Sequence, residues 1–315
     1  MRKTIHIHIG AHKTGTTAVQ LFFAGNRAML AERGLLYPAA CEYLRGHHRL
    51  AFALQQSRRQ INGEVPDFGA EIEGLKAEFD AAPCPAAFLS SEEFFALPPP
   101  RIGMLRQALS GYTVRIIAVL RRPDLLFESI FNQRTKMTTN RFCQPHTAFL
   151  DDPLALAGDL RFDRVLRNWS NAFGRENLAV YRYEERPNIV DSILPELGLT
   201  GDGLAIPDRR SNESVSVRAA EMIRHGKLAG LDGQALERLK AIGALRFPKE
   251  SEEGRLLSPE ERLDLLVRTD DMTDAVFDRY RLGPNLYHSR HAAREPQPPS
   301  VTFTMTDAMR LLADL

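Results

Sequence analysis

Residues 4–20 read TIHIHIGAHKTGTTAVQ. From Thr4 to Ile9 a β-branched residue alternates with a polar or small one, the period-two signature of a strand. Gly10 ends that run, Thr14, Gly15, Thr16 and Thr17 follow, and a helical pattern opens with Ala18, Val19, Leu21 and Phe22. A strand, a glycine-bounded loop and a helix start make an arrangement that holds an anion. Successive backbone N–H groups of the loop and first helical turn point at one spot, and the helix dipole adds positive partial charge there. A plain strand-to-helix turn rich in Gly and Thr has the same local pattern, so a second signal must decide between them.

Moving outward, 21–33 reads as the helix that leaves the loop, with Gly34 at its C-terminal end and 34–38 a short strand or turn. The pair His47-His48 reads as part of a solvated loop, with a ligand or substrate contact as the alternative; partners for a metal site are not evident around it. Ile72, Leu75, Lys76 and Phe79 have helical spacing. The apolar run 85–89 reads as a strand and is followed by Ser90, Ser91, Glu92 and Glu93. In a parallel sheet reactive groups gather beyond the C-terminal strand ends, where Glu92 and Glu93 fall. They are equally readable as first-turn acids of a helix capped by Ser90 or Ser91. The strongest strand is 114–120, nearly continuous in β-branched and apolar residues as a strand covered on both faces should be. It runs into Arg121-Arg122-Pro123-Asp124 and then a helix carrying Ser129. Arg121 and Ser129 can converge on one anion, the arginine with its planar fork and the serine with a hydroxyl. Asn132, Gln133, Arg134 and Lys136 further along that helix either line an acceptor pocket or form a charged helix end.

The first loop keeps the Gly10-to-Gly15 spacing of a nucleoside-triphosphate P-loop but lacks the Lys-Ser/Thr pair that should follow; Thr16 and Thr17 stand there, and the lysine has moved forward to Lys13. HKTGTT after a first strand resembles the 5′-phosphosulfate loop of sulfotransferases that use 3′-phosphoadenosine 5′-phosphosulfate (PAPS). Arg121-x-Pro123 followed by Ser129 resembles the 3′-phosphate motif of the same family; the two motifs have the expected order, and their separation leaves room for the intervening strand–helix units. The resemblance implies transfer of a sulfuryl group from PAPS to a hydroxyl or amine, with PAP leaving. It places Lys13, Thr14, Gly15, Thr16 and Thr17 around the phosphosulfate, and Arg121 and Ser129 at the 3′-phosphate. It makes Glu92 the general base, because relatives acting on carbohydrate or protein hydroxyls often place a Glu after this strand, with His12 as the alternative. Arg209 and Arg210 are the candidates for a late basic loop completing the 3′-phosphate pocket, although the Arg-Lys-Gly form of that loop is absent. PAPS is the implied co-substrate, and no metal is required. The acceptor stays open among carbohydrate, lipid and small metabolite. Two other readings stand beside this one: a P-loop-type kinase for a small molecule, which needs magnesium, and a non-catalytic nucleotide-binding protein on the same fold.

With 315 residues, 43% of them hydrophobic, the chain can bury a sizeable core. A net charge of +1 implies no strong field for nucleic acid or anionic membrane. Cys41, Cys84 and Cys143 are far apart and form no CxxC, so neither zinc nor a disulfide framework is indicated, which fits a reducing compartment. Arg2 and Lys3 are not followed by a continuous apolar segment, because His6, His8, His12 and Lys13 interrupt it, and no run reaches the roughly 20 apolar residues of a membrane span. The expectation is a soluble, cytoplasmic chain. Helices are expected at 162–173, with Trp169 in the core, at 189–197, 215–228 (capped by Asn212 or Ser214), 231–245 and 258–281, and a strand at 177–183. An extended tail begins at Gly283 and ends in a helix over 307–315. The repeated strand–helix order makes the expected fold α/β: a P-loop-like doubly wound parallel sheet flanked by helices, with right-handed crossovers and a helical C-terminal region. The expected division is one α/β domain over 1–282, helical from about 207, and an extension over 283–315.

Overall fold

A strand buried on both faces needs apolar contacts on both, and β1 (Thr4–His8) has them. Ile5 and Ile7 are fully buried on one side, while His6 and His8 are buried on the other. In the computed structural model, which describes residues 2–56, 60–185, 188–205, 215–249 and 254–313, β1 pairs in parallel with β3 (Ala86–Ser90) and with β4 (Thr113–Leu120). The short β2 (Leu35–Leu36) and the half-buried β5 (Leu178–Arg182) close the two edges, giving five parallel strands in the order β2-β3-β1-β4-β5. Between strands the chain runs through α1 (Thr16–Gly25), α2 (Arg27–Glu32), α3 (His48–Gln55), α4 (Phe68–Ala81) and α5 (Pro99–Ala108). The expected helix over 21–33 is therefore two helices. They divide at Asn26, whose side-chain amide donates to Phe22 O and to Ala205 O while its Oδ1 accepts from Ala205 N.

The described residues fall into two compact units. The first is Met1–Arg122, Arg161–Arg209 and Ala275–Pro284. It holds the sheet, α1 to α5, α8 (Phe162–Phe173) and α9 (Val190–Glu196). One sheet face, through Phe88, Ile117 and Val119, packs with Val19, Phe22 and Phe23 of α1 and Ile189, Val190 and Ile193 at α9. On the α8 side, α8 lies against β4 and α5, and Trp169, fully buried as expected, donates from Nε1 to Phe95 O at 3.2 Å. Strand order and parallel pairing confirm the doubly wound α/β sheet; β1 and β4 are neighbours whose connections leave in opposite directions, the switch point where ligands bind in such sheets.

The second unit is Pro123–Leu160, Arg210–Asp274 and Asn285–Leu315. It comprises α6 (Pro123–Lys136), α7 (Pro153–Leu156), α10 (Val217–Leu228), α11 (Gly233–Arg246), most of α12 (Pro259–Tyr280), α13 (Ser289–Ala292) and α14 (Met305–Ala313). Buried charges are paired there as burial demands. Arg262 lies 3.8 Å from Asp124, and Arg255 lies 3.0 Å from Glu128, whose carboxyl is pushed up by burial. The cap of α10 is Ser216, which accepts from Ala219 N; Asn212 and Ser214, the expected caps, lie outside the described residues. The tail expected to be extended from Gly283 carries one helix more than expected, α13, while α14 falls where its last helix was expected. No helix among the described residues is long and apolar enough to cross a membrane.

Candidate functional site

The loop after β1 continues the sheet for two more bonds, Ile9 N to Ile117 O and Ala11 N to Val119 O, before it turns. The turn needs left-handed backbone at Lys13 (φ 66) and at Gly15 (φ 80). Glycine suits position 15 doubly, because a Cβ there would stand 3.0 Å from both Ile189 Cγ2 and Tyr183 Cε2. Lys13 pays the steric cost of that conformation with a side chain present, as residues at functional loops do. Gly15 is the N-cap of α1 and offers no side-chain acceptor to it. Thr16 and Thr17 open the helix, where backbone N–H groups have no intrahelical acceptor. Thr14 Oγ1 donates to Ala11 O at 2.6 Å, whereas Thr16 Oγ1 is buried without a hydrogen-bond partner.

The second sequence motif arrives at the same place. Arg121 follows β4 and donates from NH1 to Lys13 O at 2.8 Å, so the two motifs meet in one hydrogen bond. The guanidinium lies over the Tyr183 ring, 5.1 Å from its centroid, and Nε is 3.9 Å from Glu184 Oε1. Glu184 also accepts from Arg122 N. Tyr183 and Glu184 come from the end of β5, and sequence reading gave them no part in the site; their only signal is their place beyond a C-terminal strand end. Ser129 is a half-buried residue of α6 and belongs to the second unit. Arg209 and Arg210 lie outside the described residues. In the second unit Asn132 donates to Val215 O, and the Arg134 guanidinium covers the Phe142 ring.

Beside the loop, the chain leaving β3 makes a single 3-10 turn, Glu92–Phe94. Ser91 caps it by accepting from Glu93 N, so Glu92 and Glu93 are indeed first-turn acids. Each is also held by an amide. Gln20 of α1 donates to Glu92 Oε2 at 3.2 Å, and Gln55 of α3 donates to Glu93 Oε2 at 3.0 Å. His12 Nε2 stands 3.8 Å from Glu93 Oε1. The turn thus brings one loop residue, His12, and two carboxylates to neighbouring positions at the strand ends.

His47 and His48, expected in a solvated loop, are buried. His47 Nδ1 accepts from Ser90 N and Nε2 donates to Pro38 O, while His48 Nδ1 is 2.8 Å from Ser91 Oγ. Both therefore buttress the turn after β3, a role invisible in sequence because the partners lie on a distant strand. Burial holds the His47 ring neutral, its pKa down at about 3. On β1, burial lowers His8 to about 3, and burial with Arg115 lowers His6 to about 4.

No protein-family model and no curated protein matches the chain. Among solved structures it is similar to a sulfotransferase from Alicyclobacillus acidocaldarius, with 16% identity over 76% of this chain and 100% of that one and a TM-score of 0.44. It is also similar to the sulfotransferase domain from the curacin biosynthetic pathway, with 13% identity over 85% of this chain and 97% of that one and a TM-score of 0.42.

Proposed function

We propose that the chain is a PAPS-dependent sulfotransferase acting on a hydroxyl or amine. The observation that carries the reading is the hydrogen bond from Arg121 to the Lys13 carbonyl, which joins the two anion-recognition motifs at the switch point of the sheet. A ligand with two separate anionic ends fits a loop and an arginine so joined. The buried hydroxyl of Thr16, without a partner of its own, fits the same ligand, since a sulfate or phosphate oxygen would satisfy it.

When bound, PAPS would supply a sulfuryl group already activated by its phosphate leaving group. Lys13 and the backbone of Thr14, Gly15, Thr16 and Thr17 would hold the phosphosulfate. As charge shifts towards the leaving oxygen, fixed donors of this kind lower the barrier. Arg121 would read the 3′-phosphate, with Ser129, Arg209 and Arg210 assigned to it on sequence pattern alone. Glu92 would take the acceptor's proton, with one of its oxygens fixed by the Gln20 amide. His12, beside Glu93, is the alternative base.

The test is conversion of PAPS to PAP by the purified full chain with carbohydrate, phenolic and amine acceptors, followed as transfer of labelled sulfate to the acceptor. Sulfated product in any acceptor class supports the reading. PAP binding without product in all of them favours the non-catalytic alternative.

A further inference from the structure

His8, at the end of β1, is buried to 0% exposure. Its Nδ1 lies 2.9 Å from Ser90 Oγ, and its Nε2 is buried with no hydrogen-bond partner. That nitrogen faces the first residue of the anion loop. A Cβ on Gly10 would stand 2.6 Å from His8 Nε2 and 3.1 Å from both His8 Cε1 and Thr14 Oγ1. The place that a side chain at Gly10 would take is therefore filled by the His8 ring, with the Thr14 hydroxyl beside it.

We propose that His8 is a ligand-binding residue of the anion site, presenting Nε2–H into the loop beside Gly10 as a donor to the bound sulfate or phosphate oxygens. A buried polar group without a partner is destabilising, so an unpaired imidazole nitrogen under a loop calls for a partner that arrives from outside. The neighbouring Thr14 hydroxyl already gives its proton to Ala11 O, so it adds no donor there. Thr16 Oγ1, at the start of the helix that leaves the loop, is buried without a partner as well, as is His6 Nδ1 further back on β1. On this assignment a bound oxyanion would be the partner of His8 Nε2 and of Thr16 Oγ1. The Ser90 hydroxyl can donate to Nδ1, and in that arrangement the proton of the neutral ring sits on Nε2. The backbone of Ser90 is pinned for this, its N–H on His47 Nδ1 and its carbonyl accepting from His47 N and Gln20 Nε2. Burial keeps the ring neutral, so the donor persists across the working pH range. The inference rests on the reading of the loop as an oxyanion site, though not on which nucleotide carries the anion.

Nitrogen-15 NMR of histidine-labelled, full-length protein tests it, with the His8 signals assigned by their loss in His8→Gln. The expected result is an Nε2–H tautomer whose Nε2 resonance moves on saturation with PAP or with inorganic pyrophosphate. An Nδ1–H tautomer, or an Nε2 signal that stays put while ligand binds, overturns the proposal. In parallel, His8→Gln keeps an amide donor near the Nε2 position and should bind PAP within about threefold of the parent, whereas His8→Phe should bind it about tenfold or more weakly. Equal affinity in a folded His8→Phe also overturns it; should that variant fail to fold, the wild-type spectra decide. PAP binding with an unmoved Nε2 sinks the His8 assignment and spares the nucleotide reading. Pyrophosphate moving Nε2 while PAP fails to bind does the reverse, and absence of binding by either ligand overturns both.

Discussion

The turns that leave β1 and β3 start side by side, with His8 and Ser90 in register and Ser91 N donating to His8 O, yet they are built on opposite plans. After β3 the chain satisfies itself. Ser91 caps the turn, Gln20 and Gln55 hold the two carboxylates, and His48 holds Ser91. After β1 the helix cap is a glycine with no side-chain acceptor, and two buried polar atoms at the strand end and helix start, His8 Nε2 and Thr16 Oγ1, have no hydrogen-bond partner. A self-satisfied turn fixes the direction of its acids before any ligand arrives. An unsatisfied one keeps donors in reserve at a standing cost in stability, and a bound anion returns that cost as affinity. One turn is thus suited to orient a base and the other to hold charge.

The largest effect should come from separating these two roles in turnover. Glu92→Gln keeps the shape and the contact with Gln20 but removes the basicity. PAP affinity should hold while sulfuryl transfer falls by about 10²–10⁴-fold, the range for a positioned base. Lys13→Ala should lower transfer by at least about 10²-fold and weaken nucleotide binding as well, because its charge serves both states. Steady-state kinetics beside PAP titrations give the comparison, with melting curves to exclude unfolding. Near-normal turnover in Glu92→Gln moves the base to His12 or Glu93 and leaves the turn after β3 a purely structural one.

Next in size is the ligand's own stabilisation. PAP should raise the melting temperature without any added metal, by an amount equivalent to about 2.7 kcal/mol at 100 times its dissociation constant. AMP should do less. A larger shift with Mg-ATP than with PAP would hand the loop to a kinase.

Smaller again is the reading of the 3′-phosphate. Arg121→Ala and Ser129→Ala should each weaken PAP by up to about 1.5–3 kcal/mol while binding of the 3′-dephospho nucleotide is almost unchanged. Because Arg121 also holds the Lys13 carbonyl, calorimetry can return a different answer. Equal losses for both nucleotides would make Arg121 a strut of the loop and not a reader of phosphate.

What the sequence discloses of all this follows from range. The β4 run and the helix 162–173 are legible because period and composition are local properties, and the strand–helix order carries the parallel sheet with it. The joined motifs are legible as two patterns, although only the fold brings Arg121 to Lys13. Helix α3 is not legible. His48, Leu50, Ala51, Phe52, Ala53 and Leu54 are all buried, so no polar face marks a period. The break at Asn26 depends on Ala205, far along the chain, and the burial of His47 and His48 depends on Ser90 and Ser91. The burial of His8 hides for the same reason, since its contact with Ser90 is made only when β1 and β3 pair.

The finest division between the two turns is a pair of hydroxyls. Thr16 Oγ1 is buried and makes no hydrogen bond, whereas Ser91 Oγ accepts from Glu93 N and lies against His48. Thr16→Val replaces the hydroxyl by a methyl of the same shape. Since that hydroxyl has no partner in the protein, the unliganded chain should unfold at the same denaturant concentration or slightly higher. PAP and pyrophosphate should bind more weakly by about 1 kcal/mol, the value of one hydrogen bond. Ser91→Ala removes a working cap and should cost about 0.5–2 kcal/mol of stability, with anion affinity unchanged. Urea unfolding and calorimetry on the two variants give four numbers, and the comparison requires them to cross: affinity lost without stability at Thr16, stability lost without affinity at Ser91. Destabilisation in Thr16→Val with unchanged affinity would mean that the loop after β1 is as self-contained as the turn after β3, and the anion site would have to lie elsewhere.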